Sequence, residues 1–233
     1  MTNTLHIHNE TITEAQLPTR LEAAAVSVST RRIPLRKRTF DLLVAVPAAI
    51  VTLPLTAVLA AGCAVRYRQA PLFSQPRIGR GGEIFKFWKV RTLPRFAPDT
   101  ADKYQLAALD LPRFAQKLRY HHLDEFPQLW LVIAGKMSVV GPRPEMPTLS
   151  ASFDEAFVAK RVAVQPGCTG LWQISTSARK LIGEAPEFDL HYVNNWTLRL
   201  DMWIAMRTLP TMMGGNEIAS LADIPRWTGA SVR

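Results

Sequence analysis

Between Leu42 and Val65 the chain runs 24 residues without a charged side chain, the longest such stretch in its 233 residues. A straight helix of that length reaches about 36 Å, enough for a bilayer core of about 30 Å. Pro47 and Pro54 lie inside it. A proline within a helix removes an amide donor and crowds the preceding turn, so the pattern predicts an apolar helix that bends at Pro54. Beyond it, polar and apolar residues alternate through 71–79 and 83–90 on either side of Gly81-Gly82, a hairpin signal. Tyr104 to Leu111 and Phe114 to His122 read as helices punctuated by Pro112, and Phe126 to Ala134 as a short helix opening near Pro127. Ser152 to Ala163 sets Phe153, Ala156, Phe157 and Val162 on one face and stops at Gln165-Pro166-Gly167. Trp196 to Met213 reads as a last helix; whether it lies along a membrane surface or in the core is open. The first 30 residues show no sustained periodicity beyond one weak helix over Ile12 to Ala25, and the last 20 read as a loose tail.

The pattern gives an α/β fold, mainly helical with a small β-hairpin. Its expected divisions are a mobile N-terminal tail over 1–33, a re-entrant membrane hairpin over 34–66, a soluble domain over 67–213 and a C-terminal tail over 214–233.

Charge decides how the apolar run is used. The net charge is +9, and residues 31–91 alone carry a balance of +10, split between both flanks of the run. Lys/Arg-rich flanks stay on the cytoplasmic side, and one straight span satisfies only one of two such flanks. A helix that enters, bends at Pro54 and leaves on the same face satisfies both, and is favoured over a plain signal anchor with a tolerated proline. The run starts too late and is too long for a cleavable signal peptide. With 48% hydrophobic and 20% charged residues the chain is neither disordered nor a multi-span membrane protein. Two cysteines, Cys63 and Cys168, exclude a disulfide scaffold and read as free thiols in a reducing compartment. Basic residues beside Phe85, Phe87 and Trp88 keep nucleic acid as an alternative partner. Anionic lipid is the nearer one, because the charge surrounds an apolar run, and no nucleic acid is expected.

Candidate chemistry sits in four clusters. Asp124-Glu125, embedded in Leu123-Asp-Glu-Phe-Pro127-Gln-Leu129 and preceded by Arg119, has two readings. Adjacent acids at a helix start complement the macrodipole. A carboxylate can also attack phosphorus while its neighbour holds magnesium. In Gly141-Pro142-Arg143-Pro144 the prolines fix the backbone around a guanidinium suited to phosphate, although such a sequence is also simply a rigid turn. Lys89-Val90-Arg91-Thr92 is basic and close to the membrane element. In Pro166-Gly-Cys-Thr-Gly170-Leu-Trp172-Gln173 the indole either stacks on a base or fills core. One carboxylate pair among several cations suits phosphate chemistry. His121, His122, Asp124 and Glu125 lack the spacing of a zinc site. No Walker loop, dinucleotide fingerprint or Gly-x-Ser-x-Gly elbow is present.

From Arg36 to Leu209 these residues resemble the bacterial sugar transferases, the monotopic phosphoglycosyl transferases. The likeness is carried by Lys37-Arg38-x-Phe40-Asp41, Pro54, Pro71-x-Phe73-x-Gln75-x-Arg77-x-Gly79, Phe85 with Lys89-x-Arg91-Thr92, and Leu118-Arg119. It continues through Leu123-Asp124-Glu125-x-Pro127-Gln128-Leu129, Gly135-x-Met137-Ser138-x-Val140-Gly141-Pro142-Arg143-Pro144, Pro166-Gly167-x-Thr169-Gly170-Leu171-Trp172-Gln173 and Tyr192-Val193-x-Asn195-Trp196 with Asp201.

The resemblance implies a re-entrant helix broken at Pro54, a cytoplasmic catalytic domain with interfacial amphipathic helices, and a place on the bacterial inner membrane. It implies that Asp124 attacks the sugar-bearing phosphate of a UDP-sugar, expelling UMP. Polyprenyl (undecaprenyl) phosphate then takes the phosphosugar in ping-pong order, and downstream glycosyltransferases use the product in exopolysaccharide or glycoconjugate synthesis. Glu125 would carry Mg2+, while Arg143, Arg119, Lys89 and Arg91 would hold phosphate oxygens. The alternative is a membrane-bound assembly or regulatory protein that kept the fold without the activity. Departures from the family pattern are Leu53 before Pro54 in place of serine, Lys136, Leu131, and Ile174-Ser-Thr-Ser-Ala-Arg179 after Gln173. The tail in place of a four-helix N-terminal membrane region places the chain with the family's short forms.

Overall fold

The computed structural model describes residues 4–7, 10–13, 30–93, 111–215 and 217–230. The apolar run lies in one helix, α1 (Leu35–Tyr67, 33 residues). It is long and apolar enough to cross a membrane, with a mean hydropathy of 2.4 over its most apolar window. The helix continues through Pro47 and Pro54, so the predicted break is not a gap in the helix. A proline deletes only its own donor, and turns on either side persist. Thr52 Oγ1 donates to the Ala48 carbonyl at 2.7 Å and Thr56 Oγ1 to the Thr52 carbonyl at 2.8 Å, bracketing Pro54 with side-chain bonds that promote bending.

Both ends of α1 pack on the same domain while its middle does not. Lys37, Asp41, Ala45 and Ala49 are buried near its start. Cys63 near its end is buried with Val90 and Leu118, joined by Leu59, Ala60 and Tyr67. Between them Ile50, Val51, Leu53, Leu55 and Val58 are exposed.

Near the N-terminus, β1 (Thr4–Ile7) pairs antiparallel with β2 (Glu10–Thr13), where a tail was expected. Beyond those strands, the helix over Ile12 to Ala25 lies outside the described residues, and so does that over Tyr104 to Leu111 apart from Leu111. The expected hairpin forms from β3 (Leu72–Ile78) and β4 (Ile84–Val90), antiparallel with Gln75 opposite Phe87. Gly81 and Gly82 have φ of 70° and 81°, a turn geometry that side chains with a Cβ resist.

The remaining helices are α2 (Arg113–Tyr120), α3 (Gln128–Ile133), α4 (Pro147–Ser150), α5 (Glu155–Val162), α6 (Pro186–Asn194) and α7 (Leu198–Met212). A parallel pair, β5 (Ser138–Val140) and β6 (Gly167–Thr169), pairs Val140 with Thr169. Three residues are too few to show a period, which is why neither strand is legible in the sequence.

Phe87, Met137, Leu171, Ile174, Leu200 and Ile204 centre the main core. Ile218, Ile224 and Ala230 join them, so the loose C-terminal tail is corrected: residues 217–230 are folded onto the domain. Ile218 trades backbone hydrogen bonds with the 174–176 segment, donating to Ile174 and accepting from Thr176, both at 3.0 Å. The apolar residues of this segment are too widely spaced to read as an element.

On α7 the core reading holds for one face. Leu200, Trp203 and Ile204 face the core, while Met202, Met206, Leu209 and Met213 form an exposed apolar stripe. Trp172 is buried in the main core, which decides its case in favour of core filling.

Candidate active site

After α2 the chain reverses at His122, whose φ of 52° is left-handed, and enters a 3-10 turn at Leu123–Glu125. This turn, rather than α3 itself, carries the two acids. Pro127 then caps α3 without spending a needed amide hydrogen. Asp124 is 3% exposed. Glu125 meets both neighbouring cations: Lys89 Nζ donates to Oε1 at 2.7 Å, Arg143 Nη2 to Oε1 at 2.6 Å and Arg143 Nη1 to Oε2 at 3.1 Å. Each partner comes from a different element, β4 supplying Lys89 and the turn after β5 supplying Arg143. Lys89 also lies 5.4 Å from the centre of the Phe87 ring, a cation–π placement.

Charge and burial separate the two acids. Burial pushes the Asp124 carboxyl up to about 6, against the pull of Lys89. The adjacent Glu125 charge adds to the rise and Arg119 opposes it. Burial acts on Glu125 in the same sense, but Arg143 and Lys89 outweigh it and hold that carboxyl well below its ordinary 4.5. Burial lowers Lys89 from the usual lysine range while Glu125 pulls it back up. The Arg143 guanidinium is raised by Glu125 beyond what burial takes away.

The sequence-predicted residues are thus partly gathered. Asp124, Glu125, Lys89 and Arg143 form one cluster. Arg119 acts on Asp124 through charge and donates Nη1 to Thr92 Oγ1 at 3.5 Å. Arg91 turns elsewhere, donating Nε to the Ala70 carbonyl at 3.1 Å with its guanidinium over the Phe73 ring. Pro54 lies in the exposed middle of α1, apart from these groups. The motifs contain Thr92, only 2% exposed, and Gln128, buried on the first turn of α3 with Nε2 unpaired, but the sequence gives neither a role of its own. An uncharged side chain inside a charged motif gives no compositional signal of its own.

With both acids ionised, Lys89, Arg119 and Arg143 leave one positive charge in excess, a setting that draws anions. A magnesium ion finds no cage of its own: among the described residues no three His, Cys, Asp or Glu side chains converge. Asp124 and Glu125 offer at most two carboxylates, and Glu125 already accepts three N–H contacts. That fits a Mg2+ that arrives with phosphate oxygens, since this ion commonly takes one or two carboxylates plus substrate phosphates.

Residues 32–215 match the family model described as Bacterial sugar transferase. The chain is 33% identical over 192 residues to the exopolysaccharide production protein ExoY of Sinorhizobium fredii (strain NBRC 101917 / NGR234), covering 76% of this chain and 84% of that one. It is 34% identical over 198 residues to the UDP-galactose-lipid carrier transferase of Erwinia amylovora, covering 76% of this chain but only 40% of that longer one. With the UDP-glucose:undecaprenyl-phosphate glucose-1-phosphate transferase of Caulobacter vibrioides (strain ATCC 19089 / CIP 103742 / CB 15) it shares 31% identity over 194 residues, 78% of this chain and 71% of that one.

Proposed function

This chain belongs to the bacterial sugar transferase family, and on that premise we propose that it moves a sugar-1-phosphate from a UDP-sugar to polyprenyl phosphate, releasing UMP. The observation that carries the proposal is Asp124, only 3% exposed beside the Lys89–Glu125–Arg143 cluster, in which Glu125 takes the hydrogen bonds of both cations.

In the first step an Asp124 carboxylate oxygen bonds to the sugar-bearing phosphorus. The bond from that phosphorus to the bridging oxygen breaks and UMP leaves with the electron pair. In the second step an oxygen of polyprenyl phosphate attacks the same phosphorus, restoring the carboxylate and giving polyprenyl-diphospho-sugar. Arg143 and Lys89 hold the phosphate oxygens as charge develops on them in each transition state, and the charge of Arg119 favours the ionised carboxyl. Arg91, whose Nε donates to the Ala70 carbonyl, is given no part in holding phosphate. Glu125 would hold Mg2+ when the ion comes with the diphosphate, where it would neutralise phosphate charge.

The acceptor is a lipid, so the nucleophile has to stand at headgroup height on the cytoplasmic side of the inner membrane. The re-entrant reading of α1 is supported by its two ends packing on one domain while residues near Pro54 stay exposed. The α7 stripe supports an interfacial helix. Glycosyltransferases that extend a lipid-linked sugar would consume the product. An inactive assembly protein has no need of a buried, charge-tuned aspartate.

The test incubates purified protein with UDP-glucose or UDP-galactose and Mg2+, first without undecaprenyl phosphate for UMP assay and intact-mass analysis, then with it for product formation. UMP release with a hexose-phosphate adduct on Asp124 is expected. Product formation without any adduct, or by Asp124→Asn, overturns the covalent step.

A further inference from the structure

Pro142 and Pro144 have no amide hydrogens, so the turn that carries Arg143 cannot be held by its own backbone ladder. It is held from outside. The carbonyls of Val140, Pro142, Arg143, Pro144 and Glu145 each accept a hydrogen bond from a residue distant in sequence: Lys37 Nζ to Val140 (2.9 Å), Gly167 N to Pro142 (2.9 Å), Arg161 Nη2 to Arg143 (2.5 Å), Arg77 Nη1 to Pro144 (3.1 Å) and Ile78 N to Glu145 (2.9 Å). Three of those donors are buried cations, and each is tied to its own buried carboxylate. Lys37 pairs with Asp201 at 2.8 Å, Arg77 with Glu145 at 3.1 Å and Arg161 with Asp189 at 2.8 Å.

Buried ion pairs contribute little net stability, because desolvation offsets most of the attraction and apolar residues of similar volume often serve as well. Three such pairs converging on one short turn point instead to geometry. Arg143 is pinned at both ends, its carbonyl by Arg161 and its guanidinium by Glu125. Asp41 of α1 accepts from Val139 N at 2.9 Å and Ser138 Oγ at 2.8 Å, so the first turns of α1 grip the strand that feeds the turn.

We propose that Lys37, Arg77 and Arg161, each with its carboxylate, are positioning residues that set the Arg143 fork for phosphate. The proposal rests on the transfer reading above, in which Arg143 holds substrate phosphate. The Glu125 contacts use one N–H of each Nη, and the remaining N–H groups lie in the same fixed plane, so a backbone shift misaligns whatever phosphate oxygen they meet. An ammonium acts as a point charge and tolerates that shift.

The test replaces one pair by apolar residues, Arg161→Met with Asp189→Leu, in the full-length protein. The readings are UMP release from whichever of UDP-glucose and UDP-galactose the wild type consumes, and the thermal midpoint. Expected is a fall in kcat of about tenfold with KM little changed and the midpoint retained. In an Arg143→Lys background the same pair replacement is expected to cost less than about twofold, because the two changes act through one group. Equal fold-losses in both backgrounds, or no loss, overturn the proposal, since a merely structural pair costs the same in either.

If that variant does not fold, Arg77→Met with Glu145→Leu carries the same expectations. Hydrogen exchange at the Arg143 Nε–H, followed by NMR, needs no turnover and so tests the clamp even if the wild type is inert and the transfer reading falls. Faster exchange in the pair variant supports the clamp, and unchanged exchange refutes it.

Discussion

Arg143 faces Glu125 as a two-pronged fork, Nη2 to Oε1 at 2.6 Å and Nη1 to Oε2 at 3.1 Å, and Lys89 shares Oε1 from the other side at 2.7 Å. One carboxylate therefore holds two cations in a place where, without it, they would repel. Glu125→Gln leaves both cations short of a charge partner in a poorly solvated site, a change that costs about 3 kcal/mol or more. The sign follows from the Glu125 carboxyl lying below its ordinary 4.5: its contribution is fully present above pH 4.5 and is lost as pH falls through the lower folded value. The gap in thermal midpoint between wild type and Glu125→Gln should be wide at pH 8 and narrow in acid. A gap independent of pH would mean that the charge of Glu125 is not what stabilises the cluster.

In the proposed first step Asp124 has to be ionised to attack phosphorus. Its carboxyl is pushed up to about 6 by burial, so adduct formation should rise with pH through that value and level off near neutrality. Single-turnover UMP release measured from pH 5 to 8 checks this. A limb that rises only near pH 4 would place the nucleophile in a more solvated setting.

The same burial makes the charged form of Asp124 a cost to the fold. A raised carboxyl favours the neutral form, whose contribution is present below the ordinary 3.8 and is lost as pH rises through about 6. Asp124→Asn should therefore abolish UMP release while keeping or raising the thermal midpoint, with the larger gain at pH 8 than at pH 5. Loss of activity together with a large fall in midpoint would instead mark Asp124 as a structural residue.

Chelation should separate activity from folding. Lys89 and Arg143 neutralise Glu125 without a metal, so EDTA is expected to leave the thermal midpoint of the substrate-free protein unchanged. UMP release should stop and return with added Mg2+. Turnover that survives EDTA would overturn the proposed role of Glu125 toward Mg2+.

The hairpin, the apolar helix and the acid pair are legible in the sequence because each has a local signature: alternation about two glycines, absence of charge, adjacency. The clamp around Arg143 is not. Arg161, Arg77 and Lys37 look like surface charges in their own segments, and only the pairing of β5 with β6 and the packing of α1, β3 and α5 bring them to one turn. The strands themselves are three residues each, below the length at which period 2 is visible. Arg91 misleads for the opposite reason: it sits in a basic motif, yet just past the end of β4 its side chain is drawn to the Ala70 carbonyl. The C-terminal segment shows the same limit, since Ile218 and Ile224 are buried by contacts with residues far away in the chain.

Topology gives the last prediction. Thr30 and Ala70 are exposed and flank α1 on its two sides in sequence. A helix that crosses the bilayer separates such flanks by the hydrocarbon core of about 30 Å, whereas one that dips and returns leaves both on one face. Both ends of α1 rest on the domain that carries Asp124, and the apolar residues around Pro54 stay exposed. In a variant with Cys63 and Cys168 replaced, Thr30→Cys and Ala70→Cys should each react with a membrane-impermeant maleimide only after the cytoplasmic face is opened, and Leu53→Cys should resist from either side. Labelling of Thr30→Cys from the outer face of intact cells would make α1 a full span. The nucleophile would then owe its height to α7 alone, and the Met206 and Leu209 stripe would become the surface to alter next.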